Sequence, residues 1–323
     1  MLLLIAVGAL IAYFIGLSIR DSHTFTPPIP RPILTEGRYN ITCLDDYPLI
    51  GSCSPPSTCG RIIVDSFLTP DEVSLLRSMS ELGMAFGSGS GGPTIFDAVT
   101  GAASKGEAFI DAYQMMETRW TKLTQSATRT AVDPSSLIFT RQQLDLYRRT
   151  TQRIQERVSK EFGVSNLYLT QPSFFSRITA ADAKTKHDEY WHEHVDKLQY
   201  GSFQYTALVY LSDYEKDFTG GEFVFVDGDD ATSSRSYPRI QPSSGRLVSF
   251  TSGKENIHYV DRVRSGVRHT LTIAFTCDKK KGVEAKLFKK AEALIAKHEE
   301  WKQKNALPNS SQEKQDTSSL SEK

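Results

Sequence analysis

The chain has 323 residues, enough for one large domain, and its 39% hydrophobic and 24% charged side chains are typical of a globular protein. Its 38 basic and 38 acidic side chains cancel, so charge gives no reason to expect a nucleic acid as partner. Four cysteines, at positions 43, 53, 59 and 277, match no zinc-binding spacing. Cys53 and Cys59 could close a short loop in an oxidising compartment; alternatively, all four are plain thiols.

The first 19 residues, MLLLIAVGALIAYFIGLSI, carry no charge and would form a helix of about 28 Å, close to the thickness of a bilayer core. Residues 1–19 are therefore predicted to be a transmembrane anchor. A cleaved signal peptide, or an anchor that follows a further basic tail, remains an open alternative. Arg20 and Arg31 favour a cytosolic body by the positive-inside rule. The sequons at Asn40 and Asn309, together with the cysteines, favour a glycosylated luminal domain of the secretory pathway, which is our expectation.

The helical part of the chain is predicted from caps and from apolar spacing. Residues 20–60 are expected to be a Pro/Ser-rich linker, extended along TPPIPRP. The stretch Thr69–Glu72 has the pattern of a capping box with proline at the first helical position, which predicts a helix over 70–85. The Gly/Ser-rich residues 86–106 are expected to form a loop. An apolar stripe at helical spacing predicts a second helix over 141–162.

From about residue 167 the apolar pattern acquires a period of two. Short strands at this spacing predict a β-sandwich or barrel, so the expected fold is mainly β with supporting helices. The predicted strands are LYLT, SFFSRIT, YTALVYLS, GEFVFV, RLVSFT, NIHYV and VRHTLTIAF. We expect one domain over 61–277, with helical support over 66–165 and the strands over 167–277. Residues 278–323 are expected to form an exposed charged helix and a disordered tail.

The octapeptide YWHEHVDK, residues 190–197, contains histidines and a carboxylate at alternating positions. Residues two apart on a strand face the same side, so His194 and Asp196 are predicted to face one cavity. The pattern is not the zincin HExxH, because an aspartate stands where the second histidine would be. His258, just before the last predicted strand, supplies another imidazole. Two histidines and one carboxylate leave open positions on a metal, as in the facial triad of non-haem Fe(II) oxygenases.

His194-x-Asp196, then His258, then Arg268 resembles the Fe(II)- and 2-oxoglutarate-dependent dioxygenases of the prolyl 4-hydroxylase-like group. The stretches VDSFLTPDE and YTALVYLSDYEKDFTGGEFVF are similar to the same family. The resemblance implies a double-stranded β-helix, or jelly roll. It implies that His194, Asp196 and His258 are the iron ligands. It also implies that Arg268 grips the distal carboxylate of 2-oxoglutarate bidentately, with help from the Tyr210 hydroxyl.

The resemblance further implies a reaction that consumes Fe(II)-bound O₂ and 2-oxoglutarate, releases succinate and CO₂, and hydroxylates a peptide or protein. Ascorbate is a further expected reductant. His192 has no ligand counterpart in the family pattern, so it is either a substrate-side residue or a solvated histidine. Two alternatives remain at this point: a catalytically silent luminal binding protein on the same barrel, and a cupin-like metal hydrolase that would not need Arg268.

Overall fold

The computed structural model describes residues 31–44, 58–89, 91–125, 133–228, 235–283 and 288–305. The anchor predicted for residues 1–19, the sequon at Asn309, the cysteine at position 53 and the predicted disordered tail NSSQEKQDTSSLSEK lie outside these ranges. Within them, no helix is both long enough and apolar enough to cross a membrane.

Five helices are described, and their bounds follow the caps in the sequence. They are α1 Pro70–Met84, α2 Ala112–Gln125, α3 Arg141–Phe162, α4 Asp196–Tyr200 and α5 Lys289–Asn305. The predicted capping box at the start of α1 is confirmed, because the Thr69 side chain accepts from the Glu72 N–H and the Glu72 side chain accepts from the Thr69 N–H. A second capping box begins α3, which ends at Gly163 in the left-handed conformation (φ 63°).

The strands form two antiparallel sheets. Their bounds are β1 Gly37–Thr42, β2 Thr58–Val64, β3 Thr94–Phe96, β4 Ala102–Lys105, β5 Ala108–Asp111, β6 Tyr168–Thr179, β7 Tyr205–Tyr210, β8 Phe218–Gly220, β9 Phe223–Val226, β10 Arg239–Ile240, β11 Leu247–Thr251, β12 Ile257–Val260 and β13 Val263–Thr276. The major sheet has the order β1-β2-β11-β7-β13-β6-β3-β4-β5, with β8 added to β13; the minor sheet has the order β10-β9-β12. This mainly antiparallel architecture with helices is consistent with the predicted jelly roll.

The two faces of the major sheet have different partners, as the alternation along β13 predicts. Leu271, Ile273 and Phe275 belong to the large core that the sheet shares with α1, α2, α3 and α5. A second core lies between the two sheets and includes Leu208, Tyr210 and residues of the minor sheet such as Phe223, Phe225 and Ile240. The helices therefore cover one face of the sheet, and the other face is left to form the functional pocket.

Three segments differ from the sequence prediction, and in each the reason is pairing between distant parts of the chain. The predicted linker contains β1, which is paired to β2 along its whole length. The Gly/Ser-rich region contains β3 and β4, because Phe96 pairs with Phe175 of β6 and their rings stack at 6.3 Å. The α5 helix buries one side, including Ala291, Leu294 and Ile295, and is not simply exposed.

The cysteine pairing also differs from the short loop considered above. Cys59 is bonded to Cys43, with 5.0 Å between the Cα atoms, so it does not pair with the cysteine at position 53. The bond lies at one end of the β1–β2 ladder, where β1 ends and β2 begins and residues 41 and 59 lie opposite each other. No cysteine among the described residues is a free thiol.

Candidate metal centre and co-substrate pocket

A pocket of about 420 Å³ lies between the two sheets. The major sheet contributes Thr206 and Leu208 from β7 and Thr270 and Thr272 from β13. His194 comes from the segment before α4, Asp196 from the first position of α4, and His258 from β12 of the minor sheet. The alternation of β7 and β13 therefore places Thr206 and Leu208 of one strand and Thr270 and Thr272 of the other on the pocket side, as predicted.

The three predicted metal ligands come together at one end of this pocket. One ligand atom from each of His194, Asp196 and His258 lies within 4.8 Å of the other two. Asp196 Oδ1 is 3.5 Å from His194 Nε2 and 3.6 Å from His258 Nε2. Asp196 and His258 are buried, whereas His194 is about one third exposed. Two imidazoles and one carboxylate with this spacing can hold a divalent metal on one side and leave its other side open.

Both imidazoles are oriented by a hydrogen bond at the other ring nitrogen. His194 Nδ1 donates to the His192 carbonyl at 3.0 Å, and His258 Nδ1 donates to the Asn256 carbonyl at 2.9 Å. These bonds fix the tautomer in which Nε2 keeps its lone pair for a metal. On the carboxylate, Thr206 Oγ1 donates to Asp196 Oδ2 at 2.6 Å, which leaves Oδ1 facing the two histidines. The residues present therefore fit a metal ion of the Fe(II) type.

Charge and burial act together on the protonation of the three ligands. Burial lowers the pKa of His258 to about 4, against the nearby Asp196 carboxylate, which raises it. Burial alone would raise the pKa of Asp196, but His258 and His194 outweigh it and hold that pKa below its ordinary value. Burial would lower the pKa of His194, and the hydrogen bond and charge of Asp196 raise it overall. The site thus combines an ionised carboxylate with a neutral His258 imidazole, and the raised pKa of His194 means that a metal competes with protons there.

The prediction that His194 and Asp196 share a strand is wrong. Asp196 is the first residue of the short helix α4, and His194 forms a single bridge with His258 just before it. Their backbones exchange two hydrogen bonds, from His194 N to His258 O at 2.9 Å and from His258 N to His194 O at 3.1 Å. His194 and Asp196 face the same pocket because His194 is held by the bridge to His258 and Asp196 begins α4. The alternation of side chains along a strand is not the cause.

The candidate co-substrate end of the pocket contains a buried guanidinium with a free nitrogen. Arg268 is only 2% exposed. Its Nε donates to the Gly221 carbonyl at 2.9 Å and its Nη1 donates to Thr270 Oγ1 at 2.7 Å, so both partners are neutral. Arg268 Nη2 and the buried Tyr210 hydroxyl have no hydrogen-bond partner among the described residues. Arg268 Cζ lies 5.3 Å from the centroid of the Tyr210 ring. The free Nη2 of this buried cation and the neighbouring Tyr210 hydroxyl together fit a carboxylate ligand.

The family assignment rests on the order and geometry of these residues and on comparison with known proteins. The profile of the 2OG-Fe(II) oxygenase superfamily matches residues 180–276, which contain all five predicted site residues. The 2-oxoglutarate and iron-dependent oxygenase domain-containing protein 3 of Xenopus tropicalis is 37% identical over 282 residues, which cover 85% of this chain and 82% of that protein. The chain belongs to the 2OG-Fe(II) oxygenase superfamily.

Two further proteins share smaller or more distant similarity with this oxygenase. Prolyl 3-hydroxylase 2 of Homo sapiens is 45% identical over 74 residues, which are 23% of this chain and 10% of that protein. A solved Pseudomonas putida prolyl-4-hydroxylase is 16% identical with a TM-score of 0.38, covering 68% of this chain and 94% of that one. Family membership makes the protein a 2-oxoglutarate-dependent dioxygenase that uses Fe(II), 2-oxoglutarate and O₂. The hydrolase and the silent barrel considered from the sequence lose their support.

A glycine between β8 and β9 brings the backbone close to Arg268 in this oxygenase. Gly221 has φ +67°, and a Cβ there would lie 2.9 Å from Val263 Cγ2 and 3.1 Å from Arg268 Cδ. Its carbonyl is the acceptor of Arg268 Nε. The predicted GGEFVF stretch therefore needs glycine at this position both for its backbone conformation and for the close approach of the arginine.

His192 lies at the mouth of the oxygenase pocket and is 60% exposed. Its Nε2 is 2.6 Å from Glu189 Oε2, and it is not part of the three-residue ligand cluster. Both sequence alternatives for His192, a substrate-side residue and a solvated histidine, are compatible with this position.

Sequence reasoning missed the residues that support the ligands from behind. Thr206 bonds Asp196, and Ser252 lies 2.9 Å from the Thr206 hydroxyl. The ring of Phe223 stacks on the His258 imidazole at 4.9 Å and 24°. Asn256 supplies the carbonyl for His258. The only sequence signal was the Thr206 position, which shares a strand face with Tyr210; the others come from turns and from the second sheet.

Proposed function

We propose that this oxygenase hydroxylates a side chain of a peptide or protein, with His194, Asp196 and His258 as the Fe(II) ligands. In this proposal Arg268 and Tyr210 bind the distal carboxylate of 2-oxoglutarate. The observation that carries it is that one pocket contains both the ligand cluster and Arg268, whose Nη2 has no hydrogen-bond partner and which lies beside the equally unpartnered Tyr210 hydroxyl. A buried unsatisfied polar atom is costly, so two of them side by side next to a metal-ligand cluster support a bound carboxylate as their partner.

Fe(II), O₂ and 2-oxoglutarate, when bound, supply the oxidising chemistry, in which the co-substrate becomes succinate and CO₂ and a substrate C–H bond is hydroxylated. The residues of the chain bind and orient. Arg268 and Tyr210 anchor one end of the co-substrate, while Thr206 keeps Asp196 turned toward the metal. Burial raises the pKa of Tyr210 to about 12, with Arg268 opposing, so its hydroxyl remains a proton donor at neutral pH. The apolar side chains of both sheets exclude water from the reacting atoms.

The substrate class is inferred from the remainder of the pocket. Beyond the ligands and Arg268, the pocket is lined mainly by aromatic and aliphatic side chains, among them Pro93, Ile95, Phe174, Tyr200 and Phe203. Such walls favour an uncharged, largely apolar target residue. The 74-residue match to a protein named prolyl 3-hydroxylase 2 supports a peptidyl proline as the first candidate to test.

The experiment is succinate release from 2-oxoglutarate with Fe(II) and ascorbate, in the presence of paired peptides that contain proline or alanine at one position. We expect succinate to rise with the proline peptides and the product to gain the mass of one oxygen atom. His258→Ala is the inactive control. Succinate release that no peptide stimulates, from a protein that binds both metal and 2-oxoglutarate, would contradict a peptide substrate.

We also propose that the domain faces the lumen of the secretory pathway, anchored through residues 1–19. The Cys43–Cys59 disulfide supports an oxidising compartment. The sequon residue Asn40 is exposed on β1, an edge strand of the major sheet, where a glycan is sterically allowed. Asn309 is the second proposed glycosylation site. Full-length protein expressed in cells should shift in gel mobility on endoglycosidase treatment, and Asn40→Gln should remove part of that shift. Luminal placement would be contradicted by a protein that carries no glycan and is degraded when protease is added to intact microsomes.

A further inference from the structure

Arg61 is a buried cation behind the metal-ligand cluster and does not line the pocket. It lies on β2, is 2% exposed, and places its Cζ 3.7 Å from the centroid of the Phe225 ring. Its Nη2 and Nη1 pair with the two carboxylate oxygens of Asp227, at 2.5 and 3.3 Å. Burying a charge is costly even when it is paired, and a buried ion pair is weak evidence for stability by itself. The question is what this arginine does beyond pairing.

Its third contact leads toward the metal ligands. Arg61 Nε donates to Asn256 Oδ1 at 2.7 Å. The amide nitrogen of Asn256 donates to the Thr251 carbonyl at 2.8 Å and to Thr251 Oγ1 at 2.9 Å. Both ends of this side chain are therefore held, and Asn256 is only 1% exposed. The backbone N–H of Asn256 donates to the Gly253 carbonyl, which closes the turn that leads into β12.

The remaining polar atom of Asn256, its backbone carbonyl oxygen, is the one that contacts the proposed metal ligand His258. Its carbonyl accepts the Nδ1 proton of His258 at 2.9 Å, and His258 Nε2 then faces Asp196 Oδ1. A displacement of Asn256 would thus be transmitted directly to the imidazole. The chain of contacts runs from Arg61 through Asn256 to the metal-facing nitrogen of His258, with every link within 3 Å.

Ring packing follows the same direction. Phe225, beneath the Arg61 guanidinium, packs edge-on against Phe250 at 5.3 Å, and Phe250 packs against the His258 ring at 4.9 Å. Arg61 therefore supports His258 by a hydrogen-bonded route and by a packed one. His194 differs: its Nδ1 bonds a carbonyl two residues away and its side chain is one third exposed. The buried contacts of Arg61, Asn256 and the two phenylalanines therefore support His258 and not His194.

We propose that Arg61 is a positioning residue of the metal centre, which holds the His258 imidazole in its ligating orientation through the Asn256 turn. The proposal rests on the ligand set of the proposed function. It predicts that metal affinity, and not only stability, depends on an arginine that does not line the pocket. Partners that orient a ligating histidine typically contribute about 10- to 100-fold to metal affinity.

The test is Co(II) or Mn(II) binding to the apo protein by calorimetry, together with thermal unfolding of the same apo samples. Arg61→Met should weaken metal binding about 10- to 100-fold. Asn256→Ala should weaken it similarly, and the double variant should lose less than the product of the two single losses, because both act through one route. Arg61→Lys should weaken metal binding as much as Arg61→Met does, because it keeps the charge beside Asp227 but loses the bond from Nε to Asn256.

The matched control is Arg246→Met. Arg246 is 16% exposed, pairs with both carboxylate oxygens of Asp65 and donates to the Gln241 carbonyl, with no contact to the ligand turn in the described structure. It should lower the unfolding temperature to an extent comparable with Arg61→Met and leave metal affinity unchanged. Equal losses of metal affinity in Arg246→Met and Arg61→Met would reduce Arg61 to a general stabilising role and overturn the proposal.

Three other results are also decisive. Unchanged metal affinity in a folded Arg61→Met or Arg61→Lys would overturn it. If Arg61→Met does not fold, Asn256→Ala carries the test, and unchanged metal affinity in that variant would overturn it as well. If the wild-type protein binds no metal, the proposed ligand set is refuted, and this inference falls with it. If the wild type binds metal and His258→Ala abolishes that binding, the ligand set stands, and the Arg61 and Asn256 variants then test the positioning role alone.

Discussion

Replacing Tyr210 by phenylalanine separates the binding role of its hydroxyl from any structural one. The Tyr210 side chain is fully buried, and its hydroxyl has no hydrogen-bond partner among the described residues. In the apo protein this oxygen is thus an unsatisfied polar atom, and removal of the oxygen should relieve a cost. With 2-oxoglutarate bound, the same oxygen is expected to donate to its distal carboxylate, and the variant should lose that bond.

The magnitudes follow from these two states. A buried unpaired polar group costs about 1–3 kcal/mol, so the apo variant should be as stable as the wild type or more stable by about 1 kcal/mol. One hydrogen bond to a ligand contributes about 1–1.5 kcal/mol, which weakens 2-oxoglutarate binding about 5- to 12-fold. At a 2-oxoglutarate concentration 100 times the wild-type dissociation constant, the ligand should stabilise the wild type by about 2.7 kcal/mol and a tenfold weaker variant by about 1.4 kcal/mol. The order of stability should therefore approach equality or reverse when the co-substrate is added.

The assay is chemical unfolding with and without 2-oxoglutarate, in the presence of Mn(II), together with direct titration of the co-substrate. The control is Tyr147→Phe. Tyr147 is also fully buried with an unpartnered hydroxyl, but it belongs to the core between the major sheet and the helices. It should show a similar gain in apo stability and no change in 2-oxoglutarate affinity. Equal co-substrate affinity in Tyr210→Phe and the wild type would refute the reasoning.

Arg268→Ala should keep the metal but weaken 2-oxoglutarate by about 2–3 kcal/mol, roughly 30- to 150-fold, for one charge-assisted hydrogen bond in a buried site; unchanged affinity by calorimetry would exclude this arginine from co-substrate binding. His258→Ala should abolish Co(II) binding and His192→Ala should retain it; a loss of metal in His192→Ala as complete as in His258→Ala would mean that the ligand set is misassigned. Gly221 has φ +67°, and a Cβ there would lie 3.1 Å from Arg268 Cδ, so Gly221→Ala should lower the free energy of unfolding by about 1–3 kcal/mol and weaken 2-oxoglutarate binding. Chemical unfolding and titration measure the two effects, and wild-type values for both would show that the backbone there tolerates a side chain. Burial lowers the pKa of His269, which is 2% exposed, to about 4, below the value of about 6.5 in the unfolded chain, so the neutral imidazole stabilises the fold above pH 6.5 and this contribution is lost as the pH falls toward 4. Between pH 7 and pH 5 the free energy of unfolding should fall by about 2 kcal/mol more in the wild type than in His269→Gln, and parallel curves of stability against pH would contradict this.

The sequence predicted elements best where the signal is local. The capping box at Thr69 and the stripe of α3 depend on residues within a few positions of one another, and both helices were predicted within one or two residues of their bounds. The alternation along β13 likewise determined which residues face the pocket. Where a strand exists only because a distant partner pairs with it, as in β1 and β3, local composition pointed to a linker or a loop.

The ligand set shows the same division. The order of His194, Asp196, His258 and Arg268 was enough to identify the chemistry, because the family resemblance depends on residue types and their sequence. That order could not reveal how the ligands meet: Asp196 begins a helix, and His194 reaches His258 across 64 positions through a two-bond bridge. Nor could it indicate Arg61, which is distant in the sequence and bonds the turn beside His258.

The sequence by itself thus determined the reaction class, the candidate metal-site residues and the helices with strong caps, because each is carried by residue chemistry or by short-range periodicity. Only the tertiary structure decided which cysteine pairs with Cys59, which polar atoms remain unsatisfied beside Arg268, and what holds the ligands in place. The physical reason is that hydrogen bonding and burial are properties of neighbours in space. Those neighbours are brought together by sheet pairing between residues roughly 90 to 190 positions apart, which no local pattern records.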